Sequence, residues 1–145
     1  MATKFQEIYP LFLSQIDDYE MSQLEDNELE VLIKPYLLVA IITCQRTISD
    51  IDEVNEEEEY FEKDLTLQEK ILLAKAMKLE WIREKKFNLE LMRKSLGDRD
   101  YKAIQGTDYL KELTNVEATL RKEVTQELIE YTYSKNDFWN DLFNG

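Results

Sequence analysis

Only three glycines and two prolines punctuate this chain of 145 residues. An all-β protein of that length needs many more turn residues, because each strand reversal calls for a residue that tolerates unusual backbone angles. Hydrophobic residues at 43% and charged residues at 34% fit long amphipathic helices. The expected fold is therefore all-α: a bundle of about four to five helices with a long C-terminal helix and an extended aromatic tail. One helical domain is expected over residues 1–134, with a docking tail over 135–145.

Charge and composition exclude several functions. A net charge of −13 repels phosphate backbones and anionic membranes, so neither sequence-specific nucleic-acid binding nor membrane docking is expected. The longest strongly apolar stretch, Tyr36 to Thr43, is far short of a membrane span. The N-terminus lacks the basic and apolar regions of a signal peptide. Cys44 is the single cysteine, and folding in a reducing cytoplasm is the default. The chain has no histidine, which removes Ser-His and Cys-His nucleophile pairs, the usual zinc sites and the Glu-x-x-His pairs of di-iron bundles. No phosphate-binding glycine loop or Cys-x-x-Cys occurs. Cys44 lies in an apolar stretch and reads as a small core residue. No catalytic residue, metal or cofactor is expected, and the chain is read as a non-enzyme.

Five helical segments follow from apolar spacing. A short one is expected near Pro10 to Ile16, with Pro10 in its first turn. A second starts with Asp26 or Asn27 as N-cap and runs to about Ile48, with a kink or break at Pro35. It is apolar on most sides around Pro35 and is the expected centre of the core. Asp50 to Asp64, with Glu56-Glu57-Glu58-Glu59, reads as a solvated loop or frayed helix end. The functional alternative is a divalent-cation site or an acidic surface facing a basic partner. Thr66 and Glu69 form a capping box that opens the third helix, expected to run to about Phe87. Trp81, Met77 and Phe87 read as core. Asn88 is expected to cap a separate short helix, Leu89 to Leu96, closed by Gly97. Asp98 to Gly106 reads as an extended strap or a short pairing strand. The last helix, from Thr107 or Asp108 to Tyr133, carries a seam of Leu110, Leu113, Val116, Leu120, Val124, Leu128 and Tyr131. Tyr101, Tyr109, Tyr131 and Tyr133 either line an interface or bury their rings with a wet hydroxyl. Beyond them, Phe138, Trp139, Leu142 and Phe143 need a dry surface, either the chain's own core or a partner.

Leu65-Thr66 and Glu69, then Ile71-Leu72, Ala74, Ala76-Met77 and Glu80-Trp81, form a pattern that continues in Leu96, Asp98 and Asp100-Tyr101-Lys102. It ends in Leu110-Lys111-Glu112-Leu113 and Tyr131-Thr132-Tyr133. Over about Phe5 to Tyr133 this resembles the head-tail connector (neck, or adaptor) proteins of tailed bacteriophages infecting Gram-positive bacteria. The run Glu56 to Glu59 and the aromatic tail lie outside the resemblance. The resemblance implies a structural virion protein, made in the host cytoplasm and built into the neck as a homo-oligomeric ring of about twelve copies. Its implied partners are the portal protein, downstream neck or tail-completion proteins, and DNA that passes without sequence-specific binding. It also implies that the C-terminal segment, here Phe138, Trp139, Leu142 and Phe143, docks on the portal. The strap with Asp100, Tyr101 and Lys102 would add backbone hydrogen bonds between subunits. An acidic inhibitor that mimics DNA, and a carboxylate-based metal enzyme using Asp50 to Asp64, are the competing expectations.

Overall fold

A computed structural model describes residues 2–16, 23–96 and 106–135. Strand β1 (Thr3–Lys4) leads through a 3-10 turn (Phe5–Glu7) into α1 (Tyr9–Leu13), and α2 follows over Asp26–Cys44. Strands β2 (Val54–Asn55) and β3 (Tyr60–Phe61) precede the two long helices, α3 (Leu67–Leu96) and α4 (Gly106–Lys135). The fold is mostly helical, as expected, but it includes a three-stranded antiparallel sheet in the order β1-β3-β2.

That sheet corrects the reading of Asp50 to Asp64 as a loop or helix end. Val54 pairs with Phe61, and Thr3 pairs with Phe61 from the other side. The four glutamates 56–59 form the hairpin turn. The Asn55 side-chain oxygen accepts the Glu58 N–H at 2.9 Å, a side-chain mimic of a backbone turn. Glu59 closes it in the left-handed region (φ 58°). Phe61 is fully buried and meets Phe5 edge-on at 5.1 Å. The Thr3 hydroxyl accepts the Leu65 N–H at 2.8 Å, tying the chain's start to the entrance of α3.

Pro10 sits in the first turn of α1, where its missing N–H costs nothing. The helix ends at Leu13, short of Ile16. In α2 the N-cap is Glu25, without a side-chain capping bond, and Asp26 is already helical. Pro35 does not divide α2, which ends at Cys44. The Thr47 and Ile48 N–H groups then turn back onto the Cys44 carbonyl.

Helix α3 is the hub: α1, α2 and α4 all pack on it. Its first half places Leu72, Leu73, Ala76 and Met77 in the main core with Phe5, Phe12, Ile33, Leu37 and Phe61. Farther along, Leu79 and Ile82 pack with Leu113, Leu120 and Val124 of α4. Each fully buried aliphatic or aromatic chain contributes about 1.5–3 kcal/mol. The expected seam of α4 is largely present, with one shift. Val116 is exposed, and Glu117 is buried in its place. At about 1.5 Å per residue, α3 and α4 are each about 45 Å long. The helix begins at Gly106, so that residue is helical rather than part of a strap. Asp98 to Gln105 lie outside the described residues.

Helix α3 also runs uninterrupted through Asn88, so no separate helix starts at Leu89. Phe87 is 58% exposed rather than core, whereas Met77 is buried. Trp81 is partly buried, with the Lys85 ammonium 4.8 Å from its ring centre. The continuous helix sets the sign of one substitution. Asn88→Ala replaces a poor interior helix former with the best one and is expected to stabilise by a few tenths of a kcal/mol. Removal of a true N-cap would instead cost about 1 kcal/mol. Urea denaturation distinguishes the two.

Candidate functional site

Helix α2 presents two apolar faces, and among the described residues mainly one of them packs into the core. Ile33, Tyr36, Leu37, Ala40, Ile41 and Cys44 are buried. On the other side Val31 is 76% exposed and Ile42 62% exposed. Pro35 and Val39 are exposed too, and Leu38 is half-buried. Residues 31, 35, 38 and 42 follow the four-three-four spacing of a helix stripe, so this is a second contact face. The segment expected to be the centre of the core is core on its inner side and solvent-facing on the other.

This face forms one wall of a cleft of about 500 Å³ lined by Asn27, Glu30, Val31, Lys34, Pro35, Leu38 and Glu59. The other wall is the hairpin turn. Lys34 Nζ bridges the two, donating to Glu59 Oε1 and to the Glu56 carbonyl, each at 3.2 Å. Gln6 Nε2 donates to the other Glu59 oxygen at 2.8 Å. Glu56, Glu57 and Glu58 stay exposed beside it. The Tyr9 ring is buried, and its hydroxyl finds no hydrogen-bond partner among the described residues. Burial raises the pKa of that hydroxyl well above the ordinary tyrosine range, and the nearby charges of Glu59 and Glu30 raise it further.

Two other charged clusters fasten the helices together. Glu69 is fully buried. Its Oε1 accepts the Thr66 N–H at 2.9 Å, and the Thr66 hydroxyl accepts the Glu69 N–H at 3.2 Å, which completes the expected capping box. Its Oε2 accepts from Lys63 Nζ at 2.9 Å and from the Tyr131 hydroxyl at 2.7 Å. Burial pushes the Glu69 carboxyl up, but the Thr66 N–H, Lys63 and Tyr131 outweigh it and hold the carboxyl down at about 2. Burial raises the Tyr131 hydroxyl, with Glu69 adding to it. Near the middle of α4, Glu117 meets Arg121 at 2.5 Å, Lys86 at 3.3 Å and Arg83 at 3.5 Å. Glu69 joins the start of α3 to α4, and Glu117 joins α4 to Arg83 and Lys86 of α3, while Arg121 pairs with it inside α4.

Cys44 is buried, and burial pushes its thiol up to about 12, so it stays protonated and unreactive at neutral pH. Among the described residues no three acidic or cysteine side chains converge as a metal ligand set, and no helix is long and apolar enough to cross a membrane. Tyr131 is buried, whereas Tyr109 and Tyr133 are about half exposed. The sites expected from sequence, Phe138, Trp139, Leu142 and Phe143 in the tail and Asp100, Tyr101 and Lys102 in the strap, lie outside the described residues. The outer face of α2 and its cleft were missed. Their signal was an apolar stretch too wide for a single buried stripe. No family model, curated protein or solved structure matches the chain.

Proposed function

We propose that this chain is a structural subunit of a phage head-tail connector. Copies would assemble into a ring between the portal and the downstream neck or tail-completion proteins. The observation that carries the reading is the second apolar face of α2, with Val31 at 76% and Ile42 at 62% exposure. Monomers scatter exposed apolar residues singly, whereas an aligned stripe marks a contact surface. The sequence pattern from Leu65 to Tyr133 supplies the connector assignment. An acidic ring would repel DNA phosphates, so DNA would pass without adhering. In this reading the work is binding, and the chain is no enzyme.

The acidic-inhibitor reading needs carboxylates spaced along one open face. Here Glu59 is engaged by Lys34 and Gln6, Glu69 by Lys63, and Glu117 by three cations, which leaves that reading second. Affinity purification of the tagged chain from phage-producing cells, with mass spectrometry, tests the proposal. Portal and tail proteins are the expected co-purifying species. A host nuclease, polymerase or regulator in their place overturns the connector reading.

A further inference from the structure

We propose that the cleft between α2 and the hairpin turn is a docking site for a lysine- or arginine-bearing amphipathic segment of another polypeptide. The inference rests on the assembly reading only in taking the occupant to be a protein. It specifies the chemistry of that protein's contact.

The walls dictate the chemistry. Val31, Pro35 and Leu38 offer an apolar floor that suits the aliphatic stem of a long cationic side chain. The charged lining is Glu30, Glu59 and Lys34. Lys34 is already held by Glu59 and by the Glu56 carbonyl, and three further glutamates border the turn, so the cleft carries surplus negative charge. Its backbone adds an acceptor. Pro35 has no N–H, so the Val31 carbonyl lacks the donor that an ordinary helix provides four residues on. Surplus carboxylates and a backbone acceptor beside an apolar floor call for donors on an apolar stem.

A second copy of this chain is a poor source of them. It would bring a net charge of −13 to a cleft that already carries surplus negative charge, so contacts between copies in a ring fall on other surfaces. The cations along the middle of α3 are already engaged: Arg83 and Lys86 by Glu117, and Lys85 by the Trp81 ring. Nucleic acid and anionic lipid would be repelled by the same acids.

The test uses the full chain and a synthetic helical peptide with leucine at the a and d heptad positions and lysine elsewhere. Same-length peptides with glutamate or glutamine replacing lysine are the controls, and binding is read by fluorescence anisotropy at physiological salt. Val31→Ser/Leu38→Ser and the set Glu30→Gln/Glu56→Gln/Glu57→Gln/Glu58→Gln are each expected to weaken the lysine peptide about tenfold, the size of one lost anchor. A control set, Glu90→Gln/Asp108→Asn/Glu112→Gln/Glu123→Gln, removes the same charge elsewhere and is expected to change binding less than about twofold. Pro35→Ala, which favours the helix and returns a donor to Val31, is expected to weaken binding while raising the melting temperature. Equal losses in both glutamine sets, equal binding of the glutamate or glutamine peptide, or no loss in the cleft variants overturns the inference. So does a wild-type dimer, seen by sedimentation, that the cleft variants abolish. The co-purification experiment reads the connector assignment separately, so either can fail alone.

Discussion

Glu69→Ala is expected to cost about 3–5 kcal/mol of folding stability, the range for removing one member of a buried charged pair. The carboxylate ties the start of α3 to segments far away in sequence. It closes the capping box with Thr66. It holds Lys63, which also donates to the Ser49 carbonyl at 3.0 Å just beyond α2. It receives the hydroxyl of Tyr131 near the end of α4. Alanine takes away the acceptor that the Tyr131 hydroxyl and Lys63 share, and a buried donor that loses its acceptor costs more than the net value of the bond. Tyr131→Phe removes one donor and leaves Glu69 its other two partners, so about 1.5–3 kcal/mol is expected. Urea denaturation followed by circular dichroism measures both. A Glu69→Ala loss no larger than that of an ordinary cap, about 1 kcal/mol, would show that the link to α4 adds nothing.

The same carboxylate sets a pH dependence. Its folded pKa of about 2 lies below the unfolded value of 4.5. The stabilisation is therefore fully present above about pH 4.5 and is lost as pH falls toward 2. A difference of that size corresponds to about 3 kcal/mol at neutral pH. Acid also relieves the self-repulsion of a chain with charge −13, an opposing trend common to all variants. The difference between the parent protein and Glu69→Gln cancels it. That difference is expected to shrink toward zero between about pH 5 and 2.

Glu69 also marks how far the sequence could be read. Thr66 and Glu69 lie three residues apart, so the capping box is legible as a local pattern. Lys63 is close too, but nothing local says its amine will reach Glu69, and Tyr131 comes from the far end of α4. The seam of α4 was legible for the same reason as the box: its period repeats over many turns. Only its register at Val116 failed, because Glu117 is buried with three cations and no apolar pattern announces that. Asn88 misled because asparagine is a good N-cap wherever a helix starts, and here none does. The sheet was invisible because two-residue strands have no period to detect. Only Asn55, as a turn acceptor, hinted at it. The α2 cleft was hidden differently. An apolar stretch around Pro35 read as core on most sides, and its opposite wall, Glu59, arrives from a hairpin that was not foreseen.

Truncation after Asp137 is expected to leave the described fold intact and to abolish assembly. Among the described residues, the Tyr131 bond to Glu69 fastens α4 near its end, upstream of the cut. The removed segment carries Phe138, Trp139, Leu142 and Phe143 but only one acidic side chain, Asp141, so the charge on the surface hardly changes. Two aromatic anchors worth about 2 kcal/mol each amount to about 4 kcal/mol, or roughly a thousandfold in affinity. A loss of that size takes a micromolar contact into the millimolar range, where no ring persists at working concentrations. Thermal melting and native mass spectrometry with purified portal protein separate the possibilities. An unchanged melt with lost assembly assigns the tail to a partner. A melt lowered by several degrees assigns the aromatics to the chain's own core, and undiminished assembly removes the tail from the interface altogether.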